Sequence, residues 1–135
     1  MITLPYSDSG LIIRTDFSKT SKWEIICNEI NDPANMFETY ALFVNDIKFK
    51  SLDVTQLPKF DYPDSIHTFV LLVDNFTSAH PDHPLNCINL YENFGSSFRV
   101  IPSEVWGITA NLSLSNMDFE EFTYYLDKEG IFRGF

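Results

Sequence analysis

A change of hydrophobic period near the start of the chain indicates which class of fold it can adopt. Residues 11–13 form a short apolar run, which is typical of a buried β-strand. Further on, Trp23, Ile26, Cys27 and Ile30 recur at intervals of three and four residues, which predicts one apolar face of a helix. A strand that is followed by an amphipathic helix is typical of an α/β arrangement.

The rest of the chain adds further strands. Residues 67–73 give the strongest strand signal, because they are aromatic or branched and almost continuously apolar. Strands are also predicted over 40–49, and over 87–91 and 97–101, which form a hairpin with Gly95 available for the turn. We therefore predict an α/β fold: one mixed sheet with parallel central strands and helices packed on it. An α+β layout is the alternative, because the second crossover is short.

Residue pairs with capping-box spacing mark the starts of the helices. In such a pair, each side chain accepts a hydrogen bond from a backbone N–H of the first turn. A short helix is also predicted to begin at Pro102, and Gly130 is predicted to end the last helix. The pairs are Ser21 with Glu24, Asp53 with Gln56, and Asp118 with Glu121.

The length and composition of the chain predict a single globular domain over residues 1–135. A domain usually takes about 100–200 residues, and this chain has 135. Hydrophobic residues make up 44% of it and charged residues 21%, which is ordinary for a globular protein and excludes a disordered one. No repeat, low-complexity tract or linker interrupts the pattern.

An excess of acidic residues restricts the classes of partner. With 9 Lys and Arg against 19 Asp and Glu, the net charge is −10 and the isoelectric point lies near 4.5. Direct binding to nucleic-acid phosphates needs clustered basic residues, whereas those of this chain are scattered. The same charge repels anionic membrane surfaces and attracts a basic protein. We therefore expect a basic protein partner, and neither nucleic acid nor a membrane.

Cysteine content and hydropathy favour the cytoplasm. Only Cys27 and Cys87 occur, far apart and without the spacing of a disulfide framework, so both are predicted to be small buried apolar side chains. The first residues lack the basic segment and apolar run of a signal peptide. The longest apolar stretch, 69–73, is far below the ~20 residues that a membrane helix needs. A cytoplasmic protein is the expectation.

Three of the predicted strands end in an aspartate, at Asp16, Asp46 and Asp74. The carboxyl ends of parallel strands share one edge, where open α/β sheets bind ligands, so these carboxylates are candidate catalytic residues. They would hold Mg²⁺ or leave one carboxyl poised as an acid or base, while Arg14 or Arg99 clamps an anionic group. The competing interpretation is that aspartate merely terminates strands and caps turns.

The motifs of common enzyme classes are missing from the chain. It has no nucleophile elbow and no glycine-rich phosphate loop. His80 and His83 have a spacing that could suit zinc, but Pro81 and Pro84 prevent helical geometry and no second ligand cluster exists. We therefore predict a rigid polar loop there, no metal site and no cofactor, with Mg²⁺ at the aspartates as the alternative. Enzyme activity is left open, and a non-enzymatic protein is favoured.

A loop that mixes aromatic and acidic residues is the candidate contact with a partner. Phe60 and Tyr62 lie in this loop beside Asp61 and Asp64. Aromatic anchors that are ringed by carboxylates suit an interface with a basic protein. The last predicted helix adds two further acidic candidates, Glu120 and Glu121.

Several segments of the chain carry a family resemblance. They are residues 98–106, the run Asn-Met-Asp-Phe-Glu-Glu-Phe at 116–122, the ending Phe-Arg-Gly-Phe at 132–135, and residues 11–17. Together they resemble a family of small bacterial proteins whose function is unknown. The resemblance implies a bacterial origin and transfers no catalytic residue. It also implies one recurring framework, which consists of Arg14, Arg99, Glu104, Trp106, Asn111 and Asn116.

These observations favour a non-enzymatic, acidic protein-binding module. Its concrete form in a bacterium would be an immunity or antitoxin-like protein that covers a basic toxin, since opposite charge speeds capture and aromatic anchors prolong it. A nucleic-acid mimic is a variant of the same idea. The alternative is a small Mg²⁺-dependent enzyme, or a protein that binds an anionic ligand, using the aspartates at the strand ends.

Overall fold

A six-stranded mixed sheet forms the centre of the computed structural model, which describes residues 2–135. Across the sheet the strands follow the order β2-β1-β3-β4-β5-β6. Strands β1, β2 and β3 are parallel, β4 is antiparallel to both its neighbours, and β6 is parallel to β5. The strands are β1 (Gly10–Arg14), β2 (Ala41–Val44), β3 (Phe69–Val73), β4 (Leu85–Asn89), β5 (Ser97–Val100) and β6 (Ile131–Phe132).

Four α-helices and four short 3₁₀ helices connect these strands. The α-helices are α1 (Thr20–Ile30), α2 (Asn75–Ala79), α3 (Val105–Ser113) and α4 (Phe119–Phe122). The 3₁₀ helices are Ile47–Phe49, Val54–Gln56, Pro102–Glu104 and Thr123–Tyr125. Within residues 2–135, every helix is too short or too polar to cross a bilayer.

Apolar side chains cover both faces of the sheet, as the continuous pattern of β3 predicts. One face packs under α1, α3 and α4, and its cluster contains Ile12, Ile26, Leu71, Ile108 and Phe122. The other face packs under the 3₁₀ segments that follow β2, in a second cluster built around Leu11, Ile13, Phe49, Leu57 and Leu72. All five residues of β3 are buried, so this strand is the centre of both clusters.

The first two crossovers lie on opposite faces of the sheet. Helix α1 carries the chain from β1 to β2 over one face, and the 3₁₀ segments carry it from β2 to β3 over the other. Because β1 lies between β2 and β3, the direction of winding reverses at the carboxyl ends of β1 and β3. In open α/β sheets, such a reversal leaves a crevice at that edge.

The predicted mixed α/β sheet is confirmed, together with the hairpin of β4 and β5. The parallel strands β2, β1 and β3 form one half of the sheet and not its centre, because the middle pair, β3 and β4, is antiparallel. The capping boxes at Asp53 and Asp118 are also confirmed. The box at Ser21 was a wrong prediction: Ser21 lies inside α1, and the N-cap residue is Lys19, two residues earlier, which makes no side-chain cap. The helix from Asp118 is also shorter than predicted, because α4 ends at Phe122 and passes into a 3₁₀ turn.

Two other local predictions fail because of short-range hydrogen bonds. The alternation at Ile47 and Phe49 predicts a strand, but the Asp46 carboxylate accepts a hydrogen bond from the backbone N–H of Lys48 and starts a 3₁₀ helix there. Residues 75–79 form α2, which has no apolar period to reveal it. The start of α2 is held instead by a capping box between Asp74 and Thr77.

Candidate functional site

The three candidate aspartates lie at one edge of the sheet, but each one binds its own loop. Asp16 Oδ1 accepts hydrogen bonds from the backbone N–H (3.0 Å) and hydroxyl (2.7 Å) of Ser18. Asp46 caps the 3₁₀ helix that follows β2, and Asp74 accepts from the backbone N–H of Thr77 at 3.0 Å. Within residues 2–135, no group of three or more His, Cys, Asp and Glu side chains is placed to hold a metal ion.

Asp74 forms an ion pair with Arg99, which lies two strands away across the sheet. Arg99 on β5 donates from Nη1 to Asp74 Oδ1 and from Nη2 to Oδ2, each at 2.8 Å. Its guanidinium also lies 4.4 Å from the centre of the Phe76 ring. Burial alone would raise the pKa of Asp74, but the bonds from Arg99 and Thr77 outweigh it and hold the pKa below its usual value. A metal ion at Asp74 would have to displace Arg99.

Arg14 is the second candidate for anion binding, and its surroundings are different. Only 4% of its surface is exposed, yet it forms no ion pair with a carboxylate of residues 2–135. Nε donates to the carbonyl of Asp16 (3.1 Å), Nη1 donates to Asn45 Oδ1 (3.2 Å), and the guanidinium lies 4.2 Å from the centre of the Phe17 ring. A buried cation that forms no ion pair is rare in proteins.

The carboxylate of Asp16 lies close to Arg14 without pairing with it. Burial would raise its pKa, but hydrogen bonding from Ser78 and Ser18 and the charge of Arg14 keep the pKa below its usual value. Its Oδ2 atom is buried and forms no hydrogen bond with residues 2–135. Of the residues predicted for this edge, the structure therefore pairs Arg99 with Asp74 and leaves Arg14 unpaired beside Asp16.

The two loop histidines are held in separate polar contacts. His80 Nε2 lies 3.1 Å from Glu129 Oε2. His83 Nδ1 lies 2.7 Å from Glu29 Oε1, and its Nε2 lies 3.2 Å from Lys22 Nζ. These contacts attach the loop to α1 and to the C-terminal segment.

A cavity of about 260 Å³ opens at the opposite edge, where β3 begins and β4 ends. Its walls combine an apolar surface with a polar rim. The apolar residues are Phe69, Leu112, Met117 and Phe119, which pack against or belong to the main core. The polar and aromatic residues of the lining are Thr68, Asn89, Tyr91, Glu92, Asn93, Ser115, Asp118 and Glu120.

All the charged residues in the lining of this cavity are acidic. Its lining contains three carboxylates, from Glu92, Asp118 and Glu120, and no Lys, Arg or His. Asn93 Nδ2 donates to Glu120 Oε1 at 2.7 Å, which fixes that side chain at the rim. Asp118 caps α4, whereas the Glu92 carboxylate forms no hydrogen bond or ion pair within the part of the chain that the structure describes.

The predicted partner loop is attached to the rim of this cavity. Phe60 packs edge-on against Tyr91 with ring centres 5.2 Å apart, and its backbone N–H donates to the carbonyl of Leu90 at 2.6 Å. Tyr62 is 81% exposed, and Asp61 and Asp64 are exposed as well. Through Tyr91, the structure brings the predicted loop and the predicted Glu120 to one opening.

Glu121, the other predicted contact on α4, has a local role. Its Oε2 accepts a hydrogen bond from the backbone N–H of Asp118 at 2.7 Å, which completes the capping box. Sequence reasoning missed Tyr91, Glu92 and Asn93 as members of the site. They follow β4, where Tyr91 is predicted as the end of a strand and Glu92 and Asn93 as part of the hairpin connection. Nothing in their spacing shows that α4 packs beside them.

A second cavity, of about 300 Å³, lies beside the histidine loop and contains charges of both signs. Its one basic residue, Arg133, is paired with Asp82 at 3.0 Å and with Asp127 at 2.8 Å. The hydrogen bond from Arg133 is the main cause that lowers the pKa of Asp127. Since these charges satisfy one another, the cavity is a weaker candidate than the acidic one.

The residues of the implied family framework do not form one site. Trp106 packs against Phe37 with ring centres 4.9 Å apart, and the backbone N–H of Asn116 donates to the carbonyl of Asn111 at the end of α3. Arg14 and Arg99 lie at the carboxyl ends of β1 and β5 instead. Trp106, Asn111 and Asn116 therefore hold α3 and its following turn.

Comparison with known families gives a match over most of the chain. A family model described as "Domain of unknown function (DUF6924)" matches residues 9–135. No curated protein and no solved structure matches the chain. The matched range includes all six strands, the acidic cavity, and Arg14 with its surroundings at the carboxyl end of β1.

Proposed function

The chain belongs to the family described as a domain of unknown function, DUF6924, and we propose that it is a non-enzymatic, acidic protein-binding module whose partner is a basic protein. The observation that carries the proposal is the cavity beside Tyr91, which has three carboxylates and no basic residue in its lining. A lysine or arginine side chain is the natural occupant of such a cavity.

The shape of the cavity suits a long basic side chain. Its aliphatic stem would pack against Phe69, Met117 and Phe119, and its charged head would meet Glu92 and Glu120 at the rim. Hydrogen bonds between a cationic head and carboxylates are among the stronger ones in proteins. Carboxylates on an apolar wall also discriminate against a neutral side chain of the same length, which would leave them without a partner.

Features around the cavity extend the contact to a protein surface. Phe60, Tyr62 and Tyr91 supply aromatic area beside the opening, and Asp61 and Asp64 add negative charge next to them. Aromatic side chains are enriched among residues that dominate binding energy. The net charge of −10 steers a basic partner towards this acidic protein.

The most specific version of the proposal is a cytoplasmic immunity or antitoxin-like protein of a bacterium. Such a protein neutralises a basic toxin by covering its surface. The small size, the single sheet and the acidic cavity support this version. It requires a stoichiometric complex, in which a lysine or arginine of the toxin enters the cavity.

An NMR titration tests the cavity directly. The protein, uniformly labelled with ¹⁵N, is titrated with the blocked amino acids Nα-acetyl-lysine methylamide and Nα-acetyl-arginine methylamide, with the norleucine compound as the neutral control. We expect saturable shifts confined to the amides of residues 91–93 and 117–120, with dissociation constants in the roughly millimolar range. The double substitution Glu92→Gln and Glu120→Gln removes the response, whereas Glu24→Gln on α1 leaves it intact. An equal response to norleucine contradicts the proposal.

A second experiment tests the partner. The protein is recovered from its native cells by affinity capture after chemical cross-linking, in parallel with the double Gln variant. We expect one basic protein at equal stoichiometry, with cross-links to Lys59 beside the partner loop, and its loss from the variant. A complex that the variant retains in full would show that the cavity is not the contact.

Binding of an anionic ligand is the second candidate function, and buried Arg14 is the observation that favours it. A phosphate or carboxylate group would supply the ion pair that Arg14 does not form with any carboxylate of residues 2–135. Asp16 Oδ2 would accept a hydrogen bond from a hydroxyl of the same ligand. Thermal unfolding is measured with phosphate, nucleotides and Mg²⁺, each alone and combined, because a ligand of the folded state raises the midpoint. If every condition leaves the midpoint unchanged, this candidate is removed.

A further inference from the structure

The two edge strands of the sheet differ, because one is covered by another segment of the chain and the other is not. At the β6 edge, Leu126 pairs with Phe132, and the backbone N–H of Asp127 donates to the carbonyl of Ile131 at 2.9 Å. The N–H of Ile131 is bonded in turn to the Asp127 carboxylate. The C-terminal segment therefore covers this edge. At the other edge, β2 pairs only with β1, and no residue of 2–135 hydrogen-bonds to its outer side.

Apart from its short length of four residues, the outer edge of β2 lacks the usual protection against pairing. Proteins protect an exposed edge with charged side chains, proline, a bulge or a covering segment. Residues 41–44 are Ala, Leu, Phe and Val, with no charge and no proline among them. Large hydrophobic side chains in the strand and in the segments on either side of it are exposed. They are Met36, Phe37, Tyr40, Leu42 and Ile47.

The charges at the two ends of β2 are opposite in sign and lack ion-pair partners in the described residues. Glu38 precedes the strand, and its carboxylate contacts only the hydroxyl of Tyr40, at 3.3 Å. Lys48 and Lys50 follow it, and both are exposed. The Lys48 ammonium lies 5.1 Å from the centre of the Phe49 ring and forms no ion pair. Asp46 also lies there, but its carboxylate caps the 3₁₀ helix.

We propose that β2 is the homodimer interface of this protein, where a second copy adds its own β2 in the antiparallel direction and the two sheets become one. A two-fold axis brings the same strand from both copies together, so the edge has to be complementary to itself. Antiparallel pairing meets this condition, because it sets Glu38 of each copy against the lysines of the other. The apolar side chains around Tyr40 and Leu42 are covered at the same time.

The net charge of the chain does not prevent this association. Two copies carry −10 each and repel at long range, but at physiological salt charges further apart than about 8 Å are largely screened. The charges nearest the edge are of both signs. Because β2 has only four residues, the ladder is short, and we expect a dissociation constant of roughly micromolar magnitude.

Sedimentation velocity on the purified chain, from about 1 µM to about 1 mM, tests the association. We expect a monomer at the low end, a dimer at the high end, and slower hydrogen exchange of the β2 amides as the concentration rises. Leu42→Lys places like charges near the axis and keeps the chain monomeric. The control, Tyr124→Lys, alters another exposed side chain, which lies outside this edge, and leaves the dimer intact.

A charge exchange tests the pairing direction without depending on the fold of the Leu42 variant. Glu38→Lys alone, or Lys48→Glu alone, is expected to weaken the dimer by about tenfold, since symmetry applies each change twice. The two changes together restore it to within a few-fold of the original. A chain that stays monomeric at every concentration, or a dimer that neither Leu42→Lys nor the charge changes affect, overturns the proposal. Slower exchange of the β2 amides only when a different protein is added would assign the edge to that protein instead.

Discussion

Arg99 on β5 reaches across β4 and holds both carboxylate oxygens of Asp74 at the end of β3, at 2.8 Å each. Two residues that sequence reasoning assigned to a ligand site therefore satisfy one another. The pair also connects the parallel half of the sheet to its antiparallel half, because Asp74 caps α2 while Arg99 lies in the hairpin. Arg99 donates a further bond to the carbonyl of Pro84, next to the start of β4.

Replacing Arg99 with Met is expected to lower the free energy of unfolding by about 2–4 kcal/mol at neutral pH, somewhat less than for a fully buried pair. The loss arises because the half-buried Asp74 carboxylate loses its counter-charge. Urea unfolding measures the change. Asp74→Asn is the matched variant, and it keeps the size of the side chain while it removes the ion pair.

The same pair predicts how stability depends on pH. The pKa of Asp74 is lowered in the folded state, so its contribution is complete above the unfolded pKa of about 3.9 and disappears as the pH falls through the folded value. In Arg99→Met, burial then raises the pKa of Asp74. The stability difference between wild type and variant should therefore be full at pH 6 and shrink in strong acid. A difference that stays constant down to about pH 2 would contradict this assignment.

The architecture was accessible from the sequence where local pattern and tertiary packing agree. The almost continuous apolar run over 67–73 predicts a strand that is buried on both faces, and the structure confirms such a strand at Phe69–Val73. The apolar interval from Trp23 to Ile30 predicts the buried face of α1 in the same way. Where local pattern and observed structure disagree, a single hydrogen bond determines the secondary structure. Residues 47–49 alternate as in a strand, but they form a 3₁₀ helix because the Asp46 carboxylate caps its first turn.

Phe122 is the centre of an aromatic cluster that fixes the C-terminus. It is fully buried, and its ring centre lies 5.7 Å from that of Phe98, 5.4 Å from Phe132 and 5.9 Å from Phe135. Phe122→Ala is expected to cost about 3–5 kcal/mol of unfolding free energy. Tyr124→Ala, two residues later and largely exposed, should cost less than about 0.5 kcal/mol. Similar losses in the two variants, measured by urea unfolding, would show that the cluster does not hold the C-terminus.

Gly10 permits the close approach of Phe69 to the start of β1. A Cβ atom at this position would lie 2.9 Å from Cζ of the Phe69 ring and 3.4 Å from Cγ2 of Thr109. Gly10→Ala is therefore expected to destabilise the fold by about 1–3 kcal/mol. Gly107→Ala is the opposite control, since a Cβ there meets no atom within 4 Å and alanine favours the helix by roughly 0.5–1 kcal/mol. Thermal unfolding of the two variants should shift in opposite directions.

The candidate site was accessible from the sequence only in part, because topology assembles it. The mixture of Phe60, Tyr62 and acidic residues is visible in the sequence, and the exposure of Tyr62 agrees with a surface role. The cavity beside this loop depends on two distant segments, 91–93 and 117–120, which meet only because α3 and α4 pack against the sheet. The Arg99–Asp74 pair likewise depends on the strand order β3-β4-β5.

Both thiols are expected to react slowly with alkylating agents. Burial raises the pKa of Cys27 from 9.0 to about 11, so its thiolate fraction at pH 7.5 falls by roughly 100-fold. Cys87 is fully buried, which raises its pKa further in the same direction. Iodoacetamide labelling followed by mass spectrometry should show Cys27 modified slowly, and Cys87 modified only after unfolding. Rapid labelling of either thiol in the folded protein would contradict these environments.

Replacing Arg14 with Met distinguishes its role from that of Arg99, which also lies near the carboxyl end of a strand. Arg14 is buried and forms no ion pair within residues 2–135, so the substitution removes the cost of burying its charge. It loses the bonds to the Asp16 carbonyl and Asn45, the contact with the Phe17 ring and the attraction to the Asp16 carboxylate. We expect the unfolding free energy to change by no more than about 1 kcal/mol, in contrast to Arg99→Met, which leaves Asp74 unpaired. Urea unfolding of the two variants measures the contrast. If Arg14→Met instead costs as much as Arg99→Met, Arg14 has a structural role and the anionic-ligand function loses its support. If the cost is small and any midpoint rise caused by phosphate disappears in the variant, the buried guanidinium is the anion site.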